Sequence, residues 1–238
     1  GDRQDGRLSR RQQQDPTGVA DHQRAEHDLL GAVARTRRRH LGGPAGLPGE
    51  ARGIVLPLHR WNGYSIISVP MGQEIAVTPL QLVKAFTVFA NRGVMVTPSW
   101  LADERDAPIR QRVIDQPTAD LTRQILGRVV SEGTGRRAKS TKYRLWGKTG
   151  TAQVPDKING GYVEDGFVAS FICGAPLRNP QIIVAVIVHQ PNRSIGHYGG
   201  TVAAPAAKTI VEQTLAYLGV PAIDESDKGS LQVAHATD

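Results

Sequence analysis

A single cysteine, Cys173, stands in the 238-residue chain, so no intrachain disulfide can form and the redox compartment is left open. Aromatic residues make up only 5%, and the longest purely apolar run, Ile182 to Val188, has seven residues. A membrane helix needs roughly 20 such residues, and the first residues lack the basic, apolar and small-residue order of an export signal. The chain as written is therefore expected neither to span a membrane nor to carry its own signal. Internal repeats are absent. What is present is 39% hydrophobic residues, 26 Gly and 15 Pro, in a length that suits one sizeable domain or a large part of one. That composition excludes collagen-like, disulfide-framework and fully disordered classes. The net charge of +7 (29 Lys+Arg against 22 Asp+Glu) admits nucleic acid, acidic membranes or anionic polymers as partners without choosing among them.

Residues 1–46 differ in kind from the rest. They hold nine Arg but no Phe, Trp, Tyr, Ile, Met, Lys or Asn, so they can bury little and should not fold alone. A disordered basic arm, an RNA- or lipid-binding tail and an out-of-frame or mis-started segment all fit this composition. The abrupt change at Leu47-Pro48-Gly49-Glu50 favours the last. The expected organisation is an anomalous Arg/Gln-rich segment at 1–46, a folded domain at 47–221 and a flexible tail at 222–238.

Within the domain, Thr78-Pro79 opens a helix as N-cap and first helical residue, with Leu80, Leu82, Val83, Phe86 and Phe89 apolar and Gly93 as the stop. Pro117-Thr118 opens a second helix, carried by Leu121, Ile125, Leu126, Val129 and Val130 and ended by Gly133. Strand-like segments follow at Tyr143 to Gly147, Phe167 to Ala175 and Gln181 to Gln190. The last, nearly continuous in apolar residues, reads as a central strand covered on both faces. A final amphipathic helix is expected over Val202 to Leu218, with Ile210, Val211, Leu215 and Leu218 on one face. The order predicts an antiparallel sheet with helices laid over it, an α+β fold.

The segment that carries chemistry is Trp146-Gly147-Lys148-Thr149-Gly150-Thr151-Ala152-Gln153. A phosphate loop would need Gly at position 142, which is Lys142, and a helix after Gly150, where a strand-like hairpin stands instead. Lys-Thr-Gly on an edge strand beside an acyl-transfer pocket fits better. A lysine ammonium raises the local positive potential and holds a proton network. The hydroxyls of Thr149 and Thr151 can donate to a substrate carboxylate, and a strand edge can pair with an extended peptide. A backbone N–H near Thr151 can serve an oxyanion hole, and Gly150 leaves room for a ligand against the backbone.

Around this motif the sequence resembles the transpeptidase domain of class B penicillin-binding proteins, the cell-division and elongation peptidoglycan synthases. The matching stretches are Leu47-Pro48-Gly49-Glu50, Met71 to Leu82, Phe89-Ala90-Asn91-Arg92-Gly93, Gly133-Thr134-Gly135, Gly147 to Gln153, Phe167 to Phe171, and Tyr198-Gly199-Gly200 leading to Ala203-Ala204-Pro205. They run in the family's order from about Leu47 to Val220. The resemblance implies an incomplete form of the penicillin-binding, β-lactamase-like fold, an antiparallel sheet covered by helices, and D,D-transpeptidation of D-Ala-D-Ala stem peptides. It implies Lys148, Thr149 and Gly150 as catalytic residues, and Thr149, Thr151, Ala152 and Gln153 as substrate-binding residues. Stem peptides and β-lactams would be ligands through a parent protein, with divisome or elongasome glycosyltransferases as further partners. No cofactor, metal or nucleic acid is implied. The parent protein would sit in the inner membrane with this domain on the extracytoplasmic side.

The family's nucleophile motif Ser-x-x-Lys and its Ser-x-Asn motif occur nowhere in the 238 residues. Without them the chain is expected to be the C-terminal portion of a transpeptidase domain, inactive alone. A non-catalytic penicillin-fold module binding peptide or protein is the alternative, and a basic nucleic-acid binder the third, suggested by charge alone. Arg136, Arg137, Lys139 and Lys142 could face an anionic glycan, although a solvated loop is the plainer reading. His59, His189 and His197 lack triad context and read as structural or surface residues. Cys173 reads as core packing.

Overall fold

The computed structural model describes residues 49–99, 109–156 and 158–222. The anomalous segment 1–46 and all but residue 222 of the expected tail lie outside the described residues. Two small ribbons lead in, where β1 (Ile54–Val55) pairs with β2 (Ile75–Ala76), and β3 (Val94–Val96) with β4 (Arg110–Arg112). Between β1 and β2, the short helix α1 (Ser65–Ser68) turns its serines inward, where the hydroxyls of Ser65 and Ser68 donate to the Glu74 carboxylate at 2.8 and 2.6 Å. Ile66 and Ile67 of the same turn are exposed.

Helix α2 (Pro79–Ala90) starts as its sequence predicts. The Thr78 hydroxyl accepts the Gln81 N–H at 3.1 Å while the Gln81 side chain accepts the Thr78 N–H at 2.9 Å, a reciprocal cap worth about 1 kcal/mol. Helix α3 (Gln116–Ser131) is capped by Asp115, whose carboxylate accepts the Thr118 N–H at 2.7 Å. These hydrogen bonds from Thr118 hold the Asp115 carboxyl below the usual carboxylate range. Arg123 of α3 donates to the Phe89 carbonyl at 2.7 Å, fastening the two helices together.

The main sheet is antiparallel in the order β5 (Trp146–Pro155), β6 (Tyr162–Ala175), β7 (Ile182–His189). Alternation along β6 splits the core in two. Phe171, Cys173 and Ala175 join Ala204, Ala207, Val211 and Leu215 of the last helix, whereas Ile172 joins Trp146 with Phe86, Phe89 and Ala119 of α2 and α3. Trp146 stacks on Phe86 with ring centroids 6.0 Å apart, and lies against Gly174 so closely that any Cβ there would enter the indole ring. The Trp146 Nε1–H is buried and has no partner among the described residues.

The α+β class and the helix-covered antiparallel sheet agree with the sequence reading, and several details differ. The segment expected as a strand from Tyr143 is an irregular lead-in, and β5 begins at Trp146. Side-chain bonds explain the delay: the Ser140 hydroxyl accepts the N–H groups of Lys142 and Tyr143, and the Tyr143 hydroxyl donates to the Val220 carbonyl. The apolar run near Gln181 to Gln190 is covered on both faces, yet β6 occupies the centre, and β7 has no second neighbour among the described strands. The expected helix over Val202 to Leu218 divides into a turn, α4 (Gly199–Val202), and α5 (Ala204–Tyr217). Its buried stripe is Ala204, Ala207, Val211 and Leu215, leaving Ile210 and Leu218 exposed, as are Leu121 and Ile125 on α3. Small alanines supply the contact, Ala204 and Ala207 clustering with Phe171, Cys173 and Ala175 of β6.

Cys173 is fully buried in the sheet, and burial pushes its thiol up to about 12. A disulfide reagent at pH 8 is therefore expected to leave Cys173 unmodified in the native chain and to label it fully in denaturant. Labelling at equal rates in both states would contradict this packing.

Candidate active site

Three segments converge beside β5. The first is the turn after α3, which Gly133 and Gly135 close by donating to the Arg128 and Val129 carbonyls at 3.1 and 2.9 Å. Gly135 is buried against Phe171, and the fully buried Ala138 seats the one-turn 3-10 helix Arg136–Ala138. Arg136 and Arg137 are thus held at the surface between two buried small residues. The second segment is β5 itself. In register Lys148 faces Ile172, Thr149 faces Phe171, Gly150 faces Ser170 and Thr151 faces Ala169.

The third segment is Tyr198 to Thr201. A Cβ on Gly199 would collide with the Ser170 carbonyl and stand 2.6 Å from that of Gly150; one on Gly200 would collide with the Thr134 carbonyl. Only glycine backbone approaches this closely. The seam brings the Gly199 N–H to 3.3 Å from the Thr151 hydroxyl oxygen. Behind it, His197 stacks between Phe167 and Tyr198 at centroid distances of 4.5 and 4.1 Å.

Together the segments line a half-open cavity of about 290 Å³. Thr149 and Thr151 line it from β5, Thr134, Arg136 and Arg137 from the turn, and Tyr198 to Thr201 from the far side. The hydroxyls of Thr134 and Thr149 lie 2.7 Å apart, so one donates to the other and a second O–H remains to offer. Thr151 accepts from Gly199 and keeps its own O–H for a ligand. No carboxylate lines the cavity, whose wall carries threonine hydroxyls and the two exposed arginines Arg136 and Arg137.

Of the residues singled out in the sequence, Thr149 and Thr151 are brought into the cavity. Lys148 alternates to the opposite face, is exposed, and donates from Nζ to the Thr149 carbonyl at 2.9 Å. Gly150 packs against the Ser170 hydroxyl, and Ala152 and Gln153 continue exposed along the strand without lining the cavity. Residue-by-residue reading missed Thr134 and Tyr198 to Thr201 as lining groups. Gly-Thr-Gly and Tyr-Gly-Gly were the available signals, since small residues mark backbone contact. Arg136 and Arg137 are exposed and also line the cavity, whereas Lys139 and Lys142 do not line it.

Residues 37–212 match the family model described as the penicillin binding protein transpeptidase domain. Stage V sporulation protein D of Bacillus subtilis is 39% identical over 186 residues, covering 73% of this chain and 28% of that protein. A probable peptidoglycan D,D-transpeptidase, PenA, of Neisseria flavescens is 34% identical over 177 residues, covering 74% of this chain and 43% of that protein. The chain thus spans less than half the length of these relatives. Among solved structures, the apo transpeptidase domain of Burkholderia pseudomallei penicillin-binding protein 3 superposes with a TM-score of 0.70 at 32% identity, covering 82% of this chain and 57% of that one. Penicillin-binding protein 3 of Mycobacterium tuberculosis, complexed with ampicillin, gives 0.72 at 30% identity, covering 84% and 47%.

The glycine seam has a direct test. Gly199→Ala is expected to lower stability by more than about 2 kcal/mol, because a Cβ must displace two strand carbonyls. Gly63→Ala, where a Cβ meets nothing within 4 Å, should stay within about 0.5 kcal/mol of the parent. Denaturant melts of equal midpoint for both variants would refute the seam.

Proposed function

The chain belongs to the penicillin-binding protein transpeptidase family, of the class B kind, and from that membership we propose that β5 and its cavity are one wall of a D,D-transpeptidase site. The single observation carrying this reading is that Lys148-Thr149-Gly150-Thr151 lies on a strand whose outer edge has no strand partner among the described residues, next to a cavity rich in donors and free of carboxylates. An extended stem peptide adds to that edge as a further strand, antiparallel pairing supplying its main-chain bonds. Its terminal carboxylate reaches the hydroxyls of Thr149 and Thr151. Gly150 lets the ligand lie close to the backbone, and Ala152 and Gln153 extend the pairing. Lys148 contributes positive potential and a proton-holding ammonium on the strand's other side.

In the reaction itself, a serine hydroxyl adds to the carbonyl of the penultimate D-alanine. The terminal D-alanine leaves with the proton on its amine, and the amine of a second peptide then takes the acyl group and frees the serine. No serine in the 238 residues has a lysine one helical turn ahead. Ser170 lies across from Gly150 and Ser131 donates to the Arg128 carbonyl, and neither has the lysine partner that activation requires. On this reading the nucleophile is supplied from outside these residues, and the 238-residue chain binds a peptide without being acylated. On the same reading it corresponds to the C-terminal part of the domain, its family match running over residues 37–212. The parent protein faces stem peptides on the extracytoplasmic side, beside glycosyltransferases that supply glycan. A dedicated peptide-binding module is the second reading, favoured by the same missing serine.

Incubated with a penicillin, the purified chain is expected to show no mass increase on intact-mass analysis, while a D-Ala-D-Ala-terminated peptide binds reversibly. A stoichiometric adduct would place the nucleophile inside these residues. Failure to bind the peptide would remove β5 as a substrate wall.

A further inference from the structure

The lysine of the Lys-Thr-Gly motif is not among the residues that line this cavity. Lys148 alternates away from Thr149 and Thr151, and its Nζ is engaged by the Thr149 carbonyl at 2.9 Å. The cations that line the cavity are Arg136 and Arg137. Neither has an ion pair among the described residues, and no acidic residue shares the cavity with them. Their position is built rather than incidental. Buried Gly135 and Ala138 fix both ends of the turn, and the Thr134 hydroxyl, 2.7 Å from that of Thr149, ties the turn to β5. A guanidinium offers planar paired donors suited to a carboxylate.

We propose that Arg136 and Arg137 are the specificity-determining cations of this site, selecting ligands that carry a free carboxylate while Thr149 and Thr151 orient it. The inference rests on the peptide-site reading above and assigns the residues that distinguish a peptide acid from its neutral analogues. Ligands of the matching class are short peptides ending in a free carboxylate; C-terminal amides are rejected. Lys139 and Lys142, equal in charge and close in sequence, lie outside the cavity and take no part.

The test uses the full 238-residue chain and two probes, acetyl-D-Ala-D-Ala and its C-terminal amide, with dissociation constants read by amide NMR titration at low salt. The parent chain is expected to prefer the acid by roughly tenfold, a preference that shrinks as added salt shortens the screening length. In Arg136→Gln/Arg137→Gln the ratio should fall to about one, whereas Lys139→Gln/Lys142→Gln should keep it near the parent value. Both double variants change exposed side chains, and a thermal melt checks that each remains folded. A ratio unchanged in the arginine variant overturns the assignment and leaves the peptide site standing. An equal fall in both variants also overturns it, assigning the preference to the general field of a basic chain. No binding of either probe to the parent chain removes the peptide-site reading itself.

Discussion

Everything at this site depends on a backbone contact. Gly199 lies against the carbonyl groups of Gly150 on β5 and Ser170 on β6, nearer than a Cβ permits. Gly200 does the same to the carbonyl of Thr134. Two adjacent residues without side chains therefore hold the start of α4, the strand pair and the turn after α3 in one place. Were they bulkier, the segment from Tyr198 to Thr201 would move outward. The Gly199 N–H would then leave the Thr151 hydroxyl, and the cavity would open into a shallow strand face.

Once the seam is set, the chemistry divides between the two faces of β5. Thr149 and Thr151 turn toward the cavity, where their hydroxyls meet Thr134 and Gly199. Lys148 turns the other way, onto the face that carries Trp146 and Ile172 toward α2 and α3. A strand at the edge of a sheet makes both sets of groups available to a ligand lying along that edge, so a hydroxyl pair and an ammonium can act on one peptide from opposite sides. The rigid part of the arrangement is the core behind it. Phe171 underlies the turn through Gly135, and Trp146, stacked on Phe86, anchors the first residue of β5.

The sequence is legible where a short-range interaction decides the outcome. The Thr78–Pro79–Gln81 start of α2 needs only neighbouring residues, and the structure closes that cap as expected. The helix-covered antiparallel sheet also followed from the order of apolar segments. What the pattern could not convey was which strand stands in the middle, because β6 and β7 are both apolar and pairing is a property of three strands together. Helix faces are hidden from the pattern for a related reason. Ile210, Leu218, Leu121 and Ile125 carry more apolar surface than Ala119, Ala204 and Ala207, yet close packing selects the alanines. At the site, Lys-Thr-Gly drew attention to β5, while the arginines looked like a solvated run. Their role in the cavity wall comes from Gly135 and Ala138 being buried on either side, a tertiary fact with no periodic trace.

Whether β5 and the arginine turn together receive a peptide carboxylate is decided by backbone amide chemical-shift mapping of the chain with acetyl-D-Ala-D-Ala. Shifts should concentrate at Thr149 to Gln153, Thr134 to Arg137, and Gly199 and Gly200, with α2 and β7 unaffected. Shifts confined to other surfaces, with β5 silent, would mean that the peptide is held elsewhere.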